Sequence, residues 1–186
     1  RSKDVNPLLH AFAYEVYSLN SLVIYNQRVH PIICLRTVHK RVTEMEKDKI
    51  IILVEKENLN PEKLRSVIDV DGCGSVVSFV GLTRGEDNAI KVKRLEFDAW
   101  ENKLHEVLTD IARISIEKFD VKSVLIAHRT GIVEPSEPIV CIHVGSKHRA
   151  AGFKACSWLI DELKLQAPLW KKEVRSDGEI WKQGLG

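Results

Sequence analysis

Apolar and polar positions fall into two regimes along this chain, with the change near residue 50. Up to about residue 48 the pattern is weak. Leu9, Phe12, Val16 and Leu19 recur at roughly helical spacing, Pro31 to Leu35 has the length of a short strand, and Lys40 to Lys49 is a charge-rich connector. From Ile50 the periods sharpen. Ile50 to Val54 is a β-branched run of strand length, and Asn60-Pro61 opens a short helix. Asn60 serves as its N-cap and Pro61 stands at the first helical position, with Lys63 where a capping-box glutamate would sit. Asp71-Gly72-Cys73-Gly74 ends that helix.

Ser75 to Leu82 is apolar on both parities and predicts a buried strand, followed by the polar loop Thr83 to Asn88. Ile90, Val92, Leu95 and Phe97 mark the next strand, with a break in phase between Val92 and Leu95 that predicts a bulge. The short loop between these strands favours antiparallel pairing of the two. A helix over Trp100 to Phe119 carries Leu104, Val107, Leu108 and Ile111 on one stripe. Strands over Val121 to His128 and Ile139 to Val144 follow, with Val140, Ile142 and Val144 on one face. A last helix ends near Gln166, with Phe153, Cys156, Ile160 and Leu163 toward the core. Pro168 stops it, because proline cannot continue a helix and drives its predecessor to extended backbone. The order β-α-β-β-α-β-β-α-β predicts an α+β fold, helices packed on a mixed or antiparallel sheet.

The 186 residues suit one domain with an appendage: residues 1–48 as an extension or remnant of a fused domain, and residues 49–186 as the working domain. A 44% hydrophobic and 29% charged composition is that of a globular chain able to bury a core. The formal charge of +2 is too mild to argue for nucleic acid. Cys34, Cys73, Cys141 and Cys156 form no C-x-x-C pair, so neither a zinc site nor a disulfide framework is indicated, and a reducing, cytoplasmic setting is expected. No apolar run reaches the length of a membrane span, and the start at Arg1 reads as that of a processed or trimmed product.

Candidate chemistry gathers at three places. Lys164, Lys171 and Lys172 flank the Pro168 corner beside Trp170. Clustered ammoniums depress one another's pKa, which makes lysine usable as nucleophile or base, although a lysine in a last helical turn also serves as a plain cap. Ser146-Lys147-His148-Arg149 begins the last helix, where free N–H groups and a guanidinium suit an anion; a serine cap with solvated basic neighbours is the alternative. Arg84 lies in the loop after the second strand, and His128-Arg129-Thr130-Gly131 reads as a turn. Glu173 is placed to orient a neighbouring lysine. If Arg84, His148, Arg149, Lys164, Lys171 and Lys172 converge, they form a cationic pocket for a small anionic ligand.

Five stretches, Phe79 to Arg84, Leu95 to Trp100, His128 to Gly131, Ser146 to Ala151 and Ile160 to Glu173, together resemble the catalytic (large) subunit family of molybdopterin synthase. The resemblance covers roughly Ile50 to Trp181 and rests on the stretches occurring in register. It implies a hammerhead-like α+β fold with a ferredoxin-like β-α-β-β-α-β order. It also implies sulfur transfer in molybdenum cofactor biosynthesis, from cyclic pyranopterin monophosphate to the dithiolene of molybdopterin. The sulfur would come as a thiocarboxylate on the C-terminal glycine of a small ubiquitin-like carrier, within a heterotetramer built on a homodimer, with no cofactor and no metal. Lys164 and Lys171 would line the reaction centre, with Lys164 as acid/base or acyl acceptor and Lys171 as its electrostatic partner. Leu82, Thr83, Arg84, His148, Arg149, Lys172 and Glu173 would complete the substrate site. The long stretch before Ile50 and the stop at Gly186 depart from the family pattern. Two rival readings carry different expectations: a non-catalytic module binding a phosphorylated metabolite, and an RNA-binding sheet, which would need exposed aromatics on central strands.

Overall fold

A computed structural model describes residues 49–182; the expectations for residues 1–48 lie outside the described residues. Among the described residues, two sheets and three helices make an α+β fold. The first sheet runs β1-β5-β7-β2, from β1 (Ile50–Glu55), β5 (Ser123–Arg129), β7 (Pro138–Ser146) and β2 (Ser75–Leu82). Only β1 and β5 run parallel, in the register Ile50↔Val124 to Glu55↔Arg129; the other pairs are antiparallel. The second sheet joins β3 (Glu86–Asp87), β4 (Ile90–Ala99), β8 (Leu169–Arg175) and β9 (Gly178–Lys182), with β6 (Gly131–Val133) also on β4.

Helices α2 (Glu101–Phe119) and α3 (Arg149–Gln166) cover one face of the first sheet and α1 (Pro61–Val67) lies over the other. Leu104, Leu108 and Ile111 from α2, with Leu159 and Leu163 from α3, meet Val124, Ile126, Ile142 and Val144. Burying each such side chain contributes about 1.5–3 kcal/mol. Leu125, Ala127 and Cys141 point the other way, against Leu59 and Ile68. Coverage on both faces explains why β5 is buried at every position. α1 starts as its sequence dictates, with Asn60 Oδ1 accepting from the Lys63 amide at 3.0 Å and Pro61 at the first turn. The phase break in β4 is a register shift between Val92 and Arg94 against β8. No described helix is long and apolar enough to cross a membrane.

Three expectations fail. β2 and β4 do not pair: β2 bonds to β7, and β4 belongs to the other sheet. The intervening residues make their own hairpin instead, with Glu86↔Lys91 and Asp87↔Ile90 closed by Asn88 and Ala89 at φ 50° and 63°, the double positive φ of a tight hairpin turn. β2 is an edge strand, so Val77 is buried while Ser78 is exposed. Phe153 is 63% exposed, because the inward face of α3 is Gly152, Ala155, Cys156, Leu159 and Leu163. Small residues are required there: a Cβ on Gly152 would lie 2.6 Å from Ser146 Oγ and 2.9 Å from Val77 Cγ2.

Candidate active site

The Pro168 corner forms as its sequence directs. Ala167 adopts extended backbone (φ −64°, ψ 126°), and its amide closes the last turn of α3 on the Leu163 carbonyl at 3.0 Å. The chain then enters β8, where alternation sends Lys171 and Glu173 to one face and Trp170 and Lys172 to the other. Lys164 and Lys171 thereby reach one cavity of about 460 Å³, between α3, the Phe79–Leu82 end of β2, β4 and β8.

The cavity has an apolar floor and a charged rim. Val92, Leu95 and Phe97 of β4 are buried in its floor, and His128 of β5 meets Phe97 edge-on, with centroids 5.6 Å apart. Burial pushes the His128 imidazole down to about 4, so it is neutral near pH 7. Its Nδ1 donates to the Arg129 carbonyl at 2.7 Å, which leaves Nε2 as an acceptor. Arg84 and Lys164 are exposed at the rim, whereas the Lys171 side chain is only 13% exposed. Burial, chiefly, pushes the Lys171 ammonium below its usual value; Glu173 opposes that, and Lys182, Arg84 and Lys164 reinforce it. Glu173 is buried, with Oε1 3.9 Å from Lys171 Nζ and Oε2 3.2 Å from Lys182 Nζ. The Lys182 contact is an ion pair rather than an aligned hydrogen bond, and Glu173 Oε2 has no hydrogen-bond partner among the described residues.

The loop bearing Arg84 is held from behind. The buried Arg129 guanidinium donates to Glu137 Oε2 at 2.7 Å and to the Ile132 carbonyl at 2.8 Å. The Glu134 amide and Arg129 together hold the Glu137 carboxyl below the usual carboxylate range. The Glu137 carbonyl accepts from the Thr83 amide at 3.0 Å, and the Thr83 carbonyl from the Ser136 amide at 2.8 Å. Thr83 is therefore buried behind the loop, while Leu82 is exposed at the cavity edge.

Of the residues singled out from sequence, the cavity brings together Leu82, Arg84, Lys164, Lys171 and Glu173. It does not bring in Lys172, which lies on the outer face of β8, 2.6 Å from Glu96 and 3.4 Å from Glu179. Nor does it include His148 and Arg149, exposed at the start of α3. From Arg149 to Lys164 the helix rises roughly 22 Å, so the expected convergence of these cations does not occur within one chain. The buried thiols of Cys141 and Cys156 are pushed up to about 11, which leaves them inert near neutral pH.

Two cavity groups, and a lysine that pairs with the cavity carboxylates, carry no clear sequence signal. The strand ending near His128 forms as expected, but burial on both faces puts its imidazole in the cavity, where the turn-like His128–Gly131 run gives no sign of it. Asp87 looked like loop polarity. Lys182, on β9, went unnoticed, although Asp177-Gly178 signals a hairpin that would have predicted β9; Gly178 sits at φ 138°.

Comparisons with known proteins bear on the family and the fold. Residues 54–166 match the MoaE protein family. The molybdopterin synthase catalytic subunit of Pyrococcus abyssi is 32% identical over 140 residues, covering 75% of this chain and 95% of the relative. The human molybdopterin synthase catalytic subunit is 36% identical over 141 residues, covering 74% and 73%. A crystal structure of molybdopterin synthase from Staphylococcus aureus superposes with a TM-score of 0.65 at 30% identity, covering 73% of this chain and 96% of that one. A complex of subunits 1 and 2 of molybdopterin-converting factor from Helicobacter pylori shares the fold, with a TM-score of 0.58 at 22% identity over 72% and 90% of the two chains. With its α+β architecture and the two-lysine corner in a single cavity, the chain belongs to the MoaE family, the catalytic subunits of molybdopterin synthase.

Proposed function

We propose that this protein is a sulfurtransferase of molybdenum cofactor biosynthesis, converting cyclic pyranopterin monophosphate to molybdopterin with sulfur from a thiocarboxylated small carrier subunit. The observation that carries this reading is one cavity holding Arg84, Lys164 and Lys171 over an apolar floor, in a chain of this family. The floor of Leu95 and Phe97 suits a planar pterin, and Arg84 suits its phosphate. A thiocarboxylate sulfur is already nucleophilic, so the chain needs no reactive cysteine. Its cavity has to stabilise developing oxyanions and move protons.

Lys164, exposed at the rim, meets the incoming glycine tail and serves as its electrostatic or acyl-accepting partner. Lys171, desolvated and with a lowered pKa, is the better proton-transfer group, which reverses the division of labour suggested by helix-end position alone. The Helicobacter complex supports a small-subunit partner by analogy of fold. Free thiols at Cys73, Cys141 and Cys156 suit a reducing cytoplasm. His148 and Arg149 take part only if a second copy presents its α3 start to this cavity, which is the role we give the homodimer.

Reconstitution with thiocarboxylated carrier and cyclic pyranopterin monophosphate tests the reading. Dithiolene should form with the wild type and not with Lys164→Ala. Substrate binding without turnover under any carrier would leave only a metabolite-binding module. Arg149→Ala should weaken substrate binding by about 1.5–3 kcal/mol, the worth of a charged hydrogen bond. Mixing Lys164→Ala with Arg149→Ala should restore activity if the two residues serve one cavity from different copies, and no recovery would separate them.

A further inference from the structure

Lys182 takes no part in the reading above, yet it touches both carboxylates of the cavity. Its Nζ lies 3.2 Å from Glu173 Oε2 and 3.1 Å from Asp87 Oδ2. The cationic groups that would otherwise use these carboxylates stand farther off: Lys171 is 3.9 Å from Glu173 and Arg84 is 3.8 Å from Asp87. Attraction between opposite charges falls with distance, so each carboxylate is held mainly by Lys182 of β9, the edge strand beside β8. The geometry points to Lys182 as a positioning residue: by holding Glu173 and Asp87 at the shorter distances, it leaves Lys171 and Arg84 only loosely paired and open to an anionic substrate.

The charges facing Lys171 from each neighbouring element can be summed. β8 contributes Glu173, β9 Lys182, the Arg84 loop a cation, β3 Asp87 and the end of α3 Lys164; His128 on β5 is neutral. With Lys182 present these neighbours carry a net positive charge. Without it they balance, and Glu173 and Asp87 are released toward Lys171 and Arg84. Lys182 acts on Lys171 in the same direction, helping to lower its pKa, while its own is raised first by the hydrogen bond to Asp87 and then by Glu173. The role in turnover rests on the sulfur-transfer reading; the effect on the Lys171 amine does not.

Competitive acylation of the full-length protein with acetic anhydride, mapped by mass spectrometry across pH, tests this without any substrate. In Lys182→Met the midpoint for labelling Lys171 should move alkaline by about one pH unit, roughly tenfold slower labelling below it, as an opposite charge within 4–6 Å produces. Lys182→Arg should restore the wild-type midpoint. Lys172, which pairs with Glu179 of β9, reports in the same sample that β9 is intact. Lys182→Gln provides a second neutral variant. Movement of Lys171 alone supports the assignment. An unmoved Lys171, or Lys171 and Lys172 moving together in both neutral variants, overturns it. In reconstituted turnover the same variants should shift the rising limb of the kcat/KM pH profile alkaline and raise KM. Absence of turnover in the wild type would sink the sulfur-transfer reading and leave the labelling result standing.

Discussion

Lys171 and Lys172 are neighbours in sequence and opposites in circumstance. Lys171 faces the cavity, is mostly buried, and has its only carboxylate among the described ion pairs at 3.9 Å. Lys172 is almost as enclosed, its side chain 18% exposed, but lies on the opposite face, where Glu96 stands at 2.6 Å and the Trp181 ring 5.8 Å away. Burial lowers the pKa of the first; the hydrogen bond to Glu96, more than anything else, raises that of the second. The lesson is that a run of two lysines is not one basic patch. Strand alternation assigns one to a place where losing a proton is easy and the other to a place where it is hard.

The largest expected break in that symmetry is catalytic. Lys171→Ala should lower the single-turnover rate of dithiolene formation by about 10²–10⁴-fold, the usual contribution of a positioned acid or base, while Lys172→Ala stays within a few-fold of wild type. Equal losses would erase the distinction. A smaller effect concerns stability in denaturant. Lys171→Met should be neutral or stabilise by about 1 kcal/mol, because an apolar side chain replaces a desolvated ammonium and Glu173 keeps Lys182 as its partner. Lys172→Met should destabilise slightly through loss of the Glu96 contact. The smallest effect is in the pH dependence of these gaps. A lysine with a lowered folded-state pKa sheds its proton in the native state first, so the unfolded chain binds more protons between that pKa and 10.5, and stability rises with pH there. The difference between wild type and Lys171→Met should therefore change across that window in favour of the wild type. Lys172, with a raised pKa, contributes stability that persists up to 10.5 and is lost only above it, so its gap should stay flat. Parallel curves for the two variants would contradict the assigned environments.

Features legible in the sequence were those set by neighbouring residues. The Asn60-Pro61 start, the phase break after Val92 and the stop at Pro168 each involve residues a few positions apart, and each forms as read. The cavity was legible to the extent that Lys164, Lys171 and Glu173 surround one corner. Lost to sequence were the contacts that depend on where strands go. The β2–β4 loop looked like a connection between paired strands, and the strands part into different sheets. The Ser146–Arg149 step and the Pro168 corner read as parts of one pocket, but the 18-residue helix Arg149–Gln166 separates them. Phe153 shared the apolar period but missed the buried stripe, which close approach to β2 and β7 had reserved for Gly152 and Ala155.

By itself the amino-acid order determined the principal helices and strands with their caps and stops, because these follow from backbone sterics and periodicity acting over one or two turns, while the family rested on the resemblance of five stretches in register. Tertiary structure decided which cations share a cavity and which of two adjacent lysines gives up its proton more readily. Those outcomes depend on burial and on carboxylates brought in by distant strands, Asp87 from β3 and the Lys182 that holds it from β9, and no local spacing encodes the distance between them.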